Sequence, residues 1–336
     1  MMQTAPAPAR TTTRAAVVDR FGGPDVVRLA DIPLPVPGAG EVLVRVRAFG
    51  VSIGDHRIRA RDLPRGFGFV APFMIGFSRP RHRVLGDSAA GVVEAVGPEV
   101  AEWKPGDEVV IQTGMNGLGC HARHVVAKGA AIARKPAALS FEDAAALPFG
   151  GYTALSFLDR VALGPGVEVL VNGATGAVGS LMIQLAARAG ARVTAVCSGS
   201  GAELARSLGA AHVIDYTTDD FAAGPERYDV VVDCVGNAGF ARSRAVLGSG
   251  GALLLVVADV PGILGARRAS KRLGGLVTAF GASLPGRQAL QQLLDLAERG
   301  EIRAVVDSIF DFDDIVEAHR RVDTGRKRGN VIVRVP

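Results

Sequence analysis

The 336-residue chain reads as an α/β protein in two parts, an antiparallel barrel-like domain and a doubly wound parallel sheet. Three observations predict this. From Val167 the sequence runs VEVLVNGATGAVGSLMIQLAARAGARVTAVCS, which is a buried strand, a glycine-rich turn, an amphipathic helix and a second strand. The strand and helix alternation then repeats downstream. Upstream, residues 14 to 135 carry short alternating strands broken by Pro and Gly, with no such repetition.

Taken in order, residues 1–13 read as a flexible tail, because MMQTAPAPAR lacks the long apolar core of a signal peptide. Strands are expected at 15–19, 26–31, 41–51, 90–96 and 108–112, separated by turns such as Pro35-Val36-Pro37-Gly38 and Lys104-Pro105-Gly106-Asp107. A helical linker opening at Ser140-Phe141-Glu142-Asp143 crosses into the second domain, residues 140–299. There Val167, Val169, Leu170 and Val171 form the continuous apolar run of a strand covered on both faces, and Leu181, Ile183, Leu185 and Ala186 turn one helix face to the sheet. Further strands at 192–196, 213–215, 229–233, 252–257 and 276–280 suit a sheet of about six. Strands at 305–309 and 331–335 are expected to return to the first domain, so that 14–139 and 300–336 form one unit.

The turn Gly173-Ala174-Thr175-Gly176-Ala177-Val178-Gly179 carries the chemistry. Glycine permits a sharp turn and close approach of a pyrophosphate, which backbone N–H groups and the positive end of the following helix then hold. Ala174 stands where the first glycine of the common G-x-G-x-x-G spacing would fall, so the flanking strand and helix carry the reading. An acid at the end of the second strand would bond the ribose hydroxyls of NAD. Here Cys197, Ser198, Gly199 and Ser200 follow instead, which leaves room for a 2′-phosphate and favours NADPH. Arg192, Arg206 and Tyr216 are candidates to complete that site, while Glu203 fits a capping box with Ser200.

Composition agrees with a globular enzyme: 48% hydrophobic and 21% charged residues, with a net charge of +5 from 38 basic and 33 acidic side chains. That mild surplus suits an anionic cofactor and argues against nucleic acid, which wants a concentrated basic stripe. The short runs from Arg79 to Arg83 and Arg326-Lys327-Arg328 read as solvated loops. Cys120, Cys197 and Cys234 are odd in number and widely spaced, so neither a disulfide framework nor a metal cluster follows, and a cytoplasmic location is expected. No apolar run reaches the roughly 18 residues of a membrane span.

The segments GPDVVRLADIPLPVPGAGEVLVRVRAFGVS, LGDSAAGVVEAVGPEV, WKPGDEVV, LSFEDAAALPFGGYTAL, VLVNGATGAVGS, LGAAHVIDYT, YDVVVDCVG and GNVIV now carry a resemblance. The chain resembles the medium-chain dehydrogenase/reductase superfamily, in its zinc-independent quinone-oxidoreductase branch. The resemblance implies a GroES-like antiparallel β-barrel catalytic domain, a Rossmann domain and a homodimer. The zinc-ligand positions of the superfamily's alcohol dehydrogenases are matched by Ser52, Asp87 and Phe149, and their proton-relay position by Gly54, so no metal is expected. Cofactor contacts carry over to Thr153, Ala177-Val178-Gly179, Ser198, Tyr216, Val235-Gly236, Phe280-Gly281-Ala282 and Asn330.

Without a Lewis acid, hydride transfer favours acceptors that delocalise charge, hence an apolar conjugated small molecule such as a quinone or enone. The cleft is expected between the domains, lined by GVSIGDHRIR and by the segment from Leu63 to Phe77. His56 is a candidate proton donor, with Asp55 or Ser52 beside it; the alternative is that Asp55 orders this turn as a helical cap. Phe67, Phe69, Phe73 and Phe77 read either as a lid or as packing beneath a long loop. A tailoring reductase acting on a larger natural product and a non-catalytic NADPH-binding protein are the other readings.

Overall fold

The computed structural model describes residues 11–114, 117–282 and 286–336. It opens with strands β1 (Thr12–Val18), β2 (Val27–Pro33) and β3 (Glu41–Val51), then helices α1 (Ile53–Ala60) and α2 (Ala71–Ile75). Strands β4 (Ser88–Val96), β5 (Glu108–Gln112), β6 (His124–Lys128) and β7 (Ile132–Arg134) complete the first part. Helix α3 (Phe141–Leu158) leads into β8 (Glu168–Asn172), α4 (Ala177–Arg188), β9 (Arg192–Cys197), α5 (Ala202–Ser207), β10 (Ala210–Asp215) and β11 (Tyr228–Asp233). There follow α6 (Phe240–Ser243), β12 (Leu247–Leu255), α7 (Val260–Leu273), β13 (Leu276–Thr278) and α8 (Gly286–Glu298). Strand β14 (Val306–Asp311), helix α9 (Ile315–Asp323) and strand β15 (Asn330–Arg334) close the chain.

Six strands form an all-parallel sheet in the order β10-β9-β8-β11-β12-β13, whose order reverses between β8 and β11. In open α/β sheets that reversal opens the crevice where ligands bind. The other large sheet runs β14-β15-β3-β4-β5-β7, with β6 also on β3, and is antiparallel except where β14 meets β15. The C-terminal strands therefore do rejoin the first domain. Strands β1 and β2 make a separate antiparallel ribbon.

Helix α3 joins the two parts. Ser140 caps it, its Oγ accepting the Asp143 N–H at 3.0 Å. Its buried Ala144, Ala145, Ala146 and Leu147 belong to one continuous apolar core with Ala48, Ala90 and Ile332 of the barrel and Val169, Val171 and Leu181 of the parallel sheet.

The structure corrects several boundaries. Of the tail read at 1–13, residues 1–10 lie outside the described residues, but Thr12 and Thr13 begin β1, pairing with Pro33 and Ile32. Thr13 is buried with its Oγ1 2.7 Å from His124 Nδ1, which fixes it. The capping box at Ser200 and Glu203 does not form: residues 199–201 make a 3-10 turn, and Gly201 precedes α5 without a side-chain cap. The strand expected to reach Phe280 stops at Thr278, whose Oγ1 accepts the Phe280 N–H at 3.1 Å and folds the chain back. β6, β7 and helices α7, α8 and α9 carry no expectation from the sequence, because the two strands are short and the helices hold no motif.

Candidate active site

The glycine-rich turn sits at the carboxyl end of β8, beside the strand-order reversal. Gly173 has φ +79° and a Cβ there would stand 2.7 Å from Val235 Cγ2; one on Gly179 would stand 2.2 Å from Gly173 O. The turn is thus packed too tightly for any side chain at these two positions. Across the reversal, Asn172 Nδ2 donates to Asp233 Oδ1 at 2.9 Å and to Asn237 Oδ1 at 2.7 Å. The buried Asp233 carboxylate accepts the N–H groups of Val235, Gly236 and Ala238 at 3.0, 2.9 and 2.9 Å. One carboxylate therefore shapes the whole loop after β11, and sequence reading missed it because Asp233 looked like a strand terminus.

At the far end of the crevice, after β9, Ser198 Oγ and Ser200 Oγ lie 3.1 Å apart, and Arg328 Nη2 donates to Ser200 Oγ at 2.6 Å. Arg328 comes from the loop before β15, which lies directly on the glycine-rich turn: Gly329 N donates to Thr175 O at 2.8 Å. The run 326–328, read as a solvated loop, thus supplies the cation that the sequence left open. Its reach follows from tertiary packing that no local pattern signals. Arg206 also approaches here, since it and Arg328 both act electrostatically on Cys197. Tyr216 stands nearby, its N–H donating to Cys197 O at 3.1 Å, with an exposed ring. Arg192 does not belong to the site; it starts β9 at the opposite end of the strand and lies against His212 and Glu168. An acid does come close: Asp215 receives a backbone hydrogen bond from Gly199, but Thr217 N and Oγ1 also occupy it, at 2.9 and 2.7 Å, and these bonds hold its carboxyl below the usual range.

Toward the other end, Gly236 with φ +93° packs against Val257, and Val235 is half exposed in the crevice. Thr153 Oγ1 donates to Phe149 O at 2.9 Å, inside helix α3. Phe280, Gly281 and Ala282 are pinned to the end of the same helix, where Ala282 N donates to Ser156 O at 2.5 Å, and to the turn after it, where Arg160 Nη2 donates to Gly281 O at 2.8 Å. Asn330 Nδ2 donates to Val305 O at 3.1 Å, so that amide serves the local backbone.

Of the three residues read as catalytic, Ser52 and Asp55 take the alternative role of a helical cap. Ser52 and Asp55 form a reciprocal capping box on α1: Ser52 Oγ accepts Gly54 N and Asp55 N, and Asp55 Oδ2 accepts both Ser52 N and Ser52 Oγ at 2.8 Å. Asp55 Oδ1 accepts Gly86 N at 2.9 Å, so its carboxylate is fully occupied and buried. His56 holds a carboxylate at each ring nitrogen, Asp323 Oδ1 at 2.8 Å and Asp62 Oδ2 at 3.2 Å. Its neighbour Arg59 is buried and doubly bonded to Asp323, at 2.6 and 2.7 Å. The group is a structural clamp between α1 and α9, and the reading of His56 as proton donor to substrate is not supported by this geometry.

Ser52 and Phe149 do meet, since a Cβ on Gly54 would lie 3.2 Å from Ser52 Oγ and 3.7 Å from the Phe149 ring. A hydroxyl already used in a cap beside a phenyl ring is a poor donor set for zinc. Among the described residues no group of three or more His, Cys, Asp or Glu is placed to hold a metal. Asp87 stands half-buried near them; burial and the neighbouring Asp55 push its carboxyl up to about 6, and Gln112 Nε2 donates to it at 3.3 Å.

A cavity of about 690 Å³ opens between the domains. Its walls are Arg57 and the segment from Asp62 to Arg65 on the barrel side, Val235, Gly236 and Val257 at the strand ends, and helix α7. Phe69, Phe73 and Phe77 project into solvent, with exposures of 92, 70 and 65%, while Phe67 is half-buried, and none of the four lines the cavity as a lid would. Arg57, Arg65, Arg268 and Arg272 also line the cavity.

This geometry is that of a two-domain nicotinamide-dependent oxidoreductase. Family models for an alcohol dehydrogenase GroES-like domain match residues 38–154, and for a zinc-binding dehydrogenase residues 208–333. The chain is 32% identical to a 2-methylene-furan-3-one reductase of Solanum lycopersicum over 93% of its length and 76% of that protein's. It is 28% identical to a chloroplastic quinone oxidoreductase of Triphysaria versicolor over 95% of its length and 98% of that protein's. The solved quinone oxidoreductase of Coxiella burnetii superposes with a TM-score of 0.85 at 28% identity, covering 97% of this chain and all of that one. The chain belongs to the medium-chain dehydrogenase/reductase superfamily, in its quinone-oxidoreductase-like branch.

Proposed function

We propose that the protein is an NADPH-dependent reductase that passes hydride to a quinone, enone or other conjugated carbonyl without a metal. The observation that carries the cofactor choice is the cluster of Ser198, Ser200 and Arg328, joined by contacts of 3.1 and 2.6 Å at the end of β9. A guanidinium and two hydroxyls suit a 2′-phosphate, and Asp215, the carboxylate beside them, is already engaged by Thr217 N and Oγ1 and by Gly199 N. The nicotinamide, when bound, supplies the hydride.

The chain's part is to position and polarise. The N–H groups at the start of α4 face the crevice where a pyrophosphate would lie, Val235 and Gly236 bound the space beyond it, and α3 holds Thr153 and Phe149 against that space. Ser52 and Phe149 leave no Lewis acid to polarise a simple carbonyl, so the acceptor must spread the incoming charge through its own conjugation. The names of the Solanum and Triphysaria relatives, an enone reductase and a quinone oxidoreductase, support the same class. Pairing of the β13 edge, which has a sheet neighbour on one side only among the described residues, is the route to a homodimer in this reading.

The test is NADPH oxidation against a panel of quinones and enones, with binding of both nicotinamide cofactors measured by calorimetry. Turnover with NADPH bound at least tenfold tighter than NADH is expected. Tight NADPH binding with no turnover on any acceptor would sink the enzyme reading, and tighter NADH binding would sink the argument from the serines and Arg328.

A further inference from the structure

The interdomain cavity holds an excess of cationic groups that the reading above does not use. Arg57 and Arg65 reach it from the barrel side, Arg268 and Arg272 from α7. Among the described residues none of these four guanidiniums makes a hydrogen bond or a close ion pair. The carboxylates that share the walls are already engaged. Asp233 accepts the N–H groups of its loop, Asp259 Oδ1 accepts Gly262 N at 2.8 Å as the cap of α7, and Asp62 bonds His56.

Two features make this arrangement more than a scattering of surface charge. Arg57 is partly buried, and loss of hydration lowers its guanidinium pKa against the opposing pull of Asp62, so it stands desolvated without a bonded anion. Arg268 and Arg272 are four residues apart on one helix, where like charges repel and cost a few tenths of a kcal/mol, yet both face the cavity. The two walls are also held in register. Val260 N donates to Arg65 O at 3.0 Å, and Gly66, with φ +93°, fits against Val260 where a Cβ would approach to 2.7 Å.

The cofactor's 2′-phosphate does not account for these cations, and in the reading above its pyrophosphate is held by the backbone N–H groups of the glycine-rich turn and α4. The serine and Arg328 cluster follows β9, and the arginine-lined cavity opens after β11 and β12, two and three strands further along the sheet, roughly 10 to 15 Å away. The volume of about 690 Å³ suits a small molecule with a charged end.

We propose that this cavity takes an acceptor bearing a phosphate or pyrophosphate group, clamped between Arg57 and Arg65 on one wall and Arg268 and Arg272 on the other. Guanidinium pairs recognise phosphate oxygens bidentately, and four of them exceed what one carboxylate can satisfy. The inference rests on the reductase reading for the identity of the acceptor, while the anion site stands on the cavity alone.

Two measurements separate them. In the presence of saturating NADPH, inorganic pyrophosphate titrated into the protein is expected to bind with an affinity that falls at least tenfold in the Arg268→Gln/Arg272→Gln variant. It should be unchanged in Arg267→Gln, an exposed neighbour on the same helix outside the cavity. Enones matched in length and ended by phosphate, carboxylate or alcohol are then compared by kcat/KM. The phosphate form is expected to exceed the alcohol at least tenfold, and the double variant to erase most of that ratio. No pyrophosphate binding, equal loss in the Arg267→Gln control, or a preference for carboxylate over phosphate overturns the proposal. Pyrophosphate binding that depends on Arg268 and Arg272, with neither quinone nor enone reduced, upholds the anion site and removes the reductase reading instead.

Discussion

Arg328 and Asp87 show how much single residues depend on neighbours far along the chain. Ser198 and Ser200 were legible as a site without an acid, but their cation arrives from 128 positions later than Ser200, through a loop laid on Thr175 and Gly176. Losing a charge-assisted bond of this kind costs about 1.5–3 kcal/mol. Arg328→Ala is therefore expected to raise KM for NADPH some ten- to a hundredfold while leaving KM for NADH nearly unchanged, as steady-state kinetics with both cofactors would show. Asp87 gives a pH effect. Its folded pKa of about 6 lies above the ordinary 3.8, so the folded state holds a proton that the unfolded state has already lost. Stability therefore falls as pH rises from about 4 to 6, by on the order of 2 kcal/mol, and stays lower above that. Asp87→Asn should raise the melting temperature by a few degrees at pH 7.5 and scarcely at pH 4; equal shifts at both would remove the electrostatic account. His56 depends on a distant neighbour in the same way, since Asp323, 267 residues away, holds its Nδ1.

Elements with a strong local signal were legible and those defined by packing were not. Strands β3 and β5 and the β8, α4 and β9 unit follow directly from apolar runs and glycine spacing. Helix α1 did not, since its capping box lies within residues that also read as a turn. Helix α7, with two arginines on its cavity face, showed no motif and yet forms one wall of the site. The contact between α3 and α4 is the most exacting of the helix pairings: a Cβ on Gly150 would stand 2.2 Å from Ala177 O, in the first turn of the helix that faces the pyrophosphate. Gly150→Ala is expected to displace that turn, weaken NADPH binding at least tenfold and lower the melting temperature, since overpacking costs typically 1–3 kcal/mol. Unchanged calorimetric affinity would show that α4 can shift without disturbing the cradle.

At the scale of the molecule, the two domains share their largest apolar core through α3, so they are expected to unfold together. A single calorimetric transition, moved upward by NADPH, is the predicted result; two resolved transitions would show that the shared core does not couple the domains. The fold class, the return of the C-terminal strands and a parallel sheet of about six strands were open to sequence reasoning, because each rests on periodicity and chain order, whereas the strand order comes from the structure. The charge of the cavity was not, because its four arginines meet only once the domains are assembled. The central claim is that this assembly delivers hydride from NADPH to a conjugated acceptor using no metal. Transfer of deuterium from 4-deuterated NADPH to an enone by chelator-treated protein tests it most directly. Label in the reduced product at a rate unchanged by chelation is predicted; no label, or label only after zinc is restored, would contradict it.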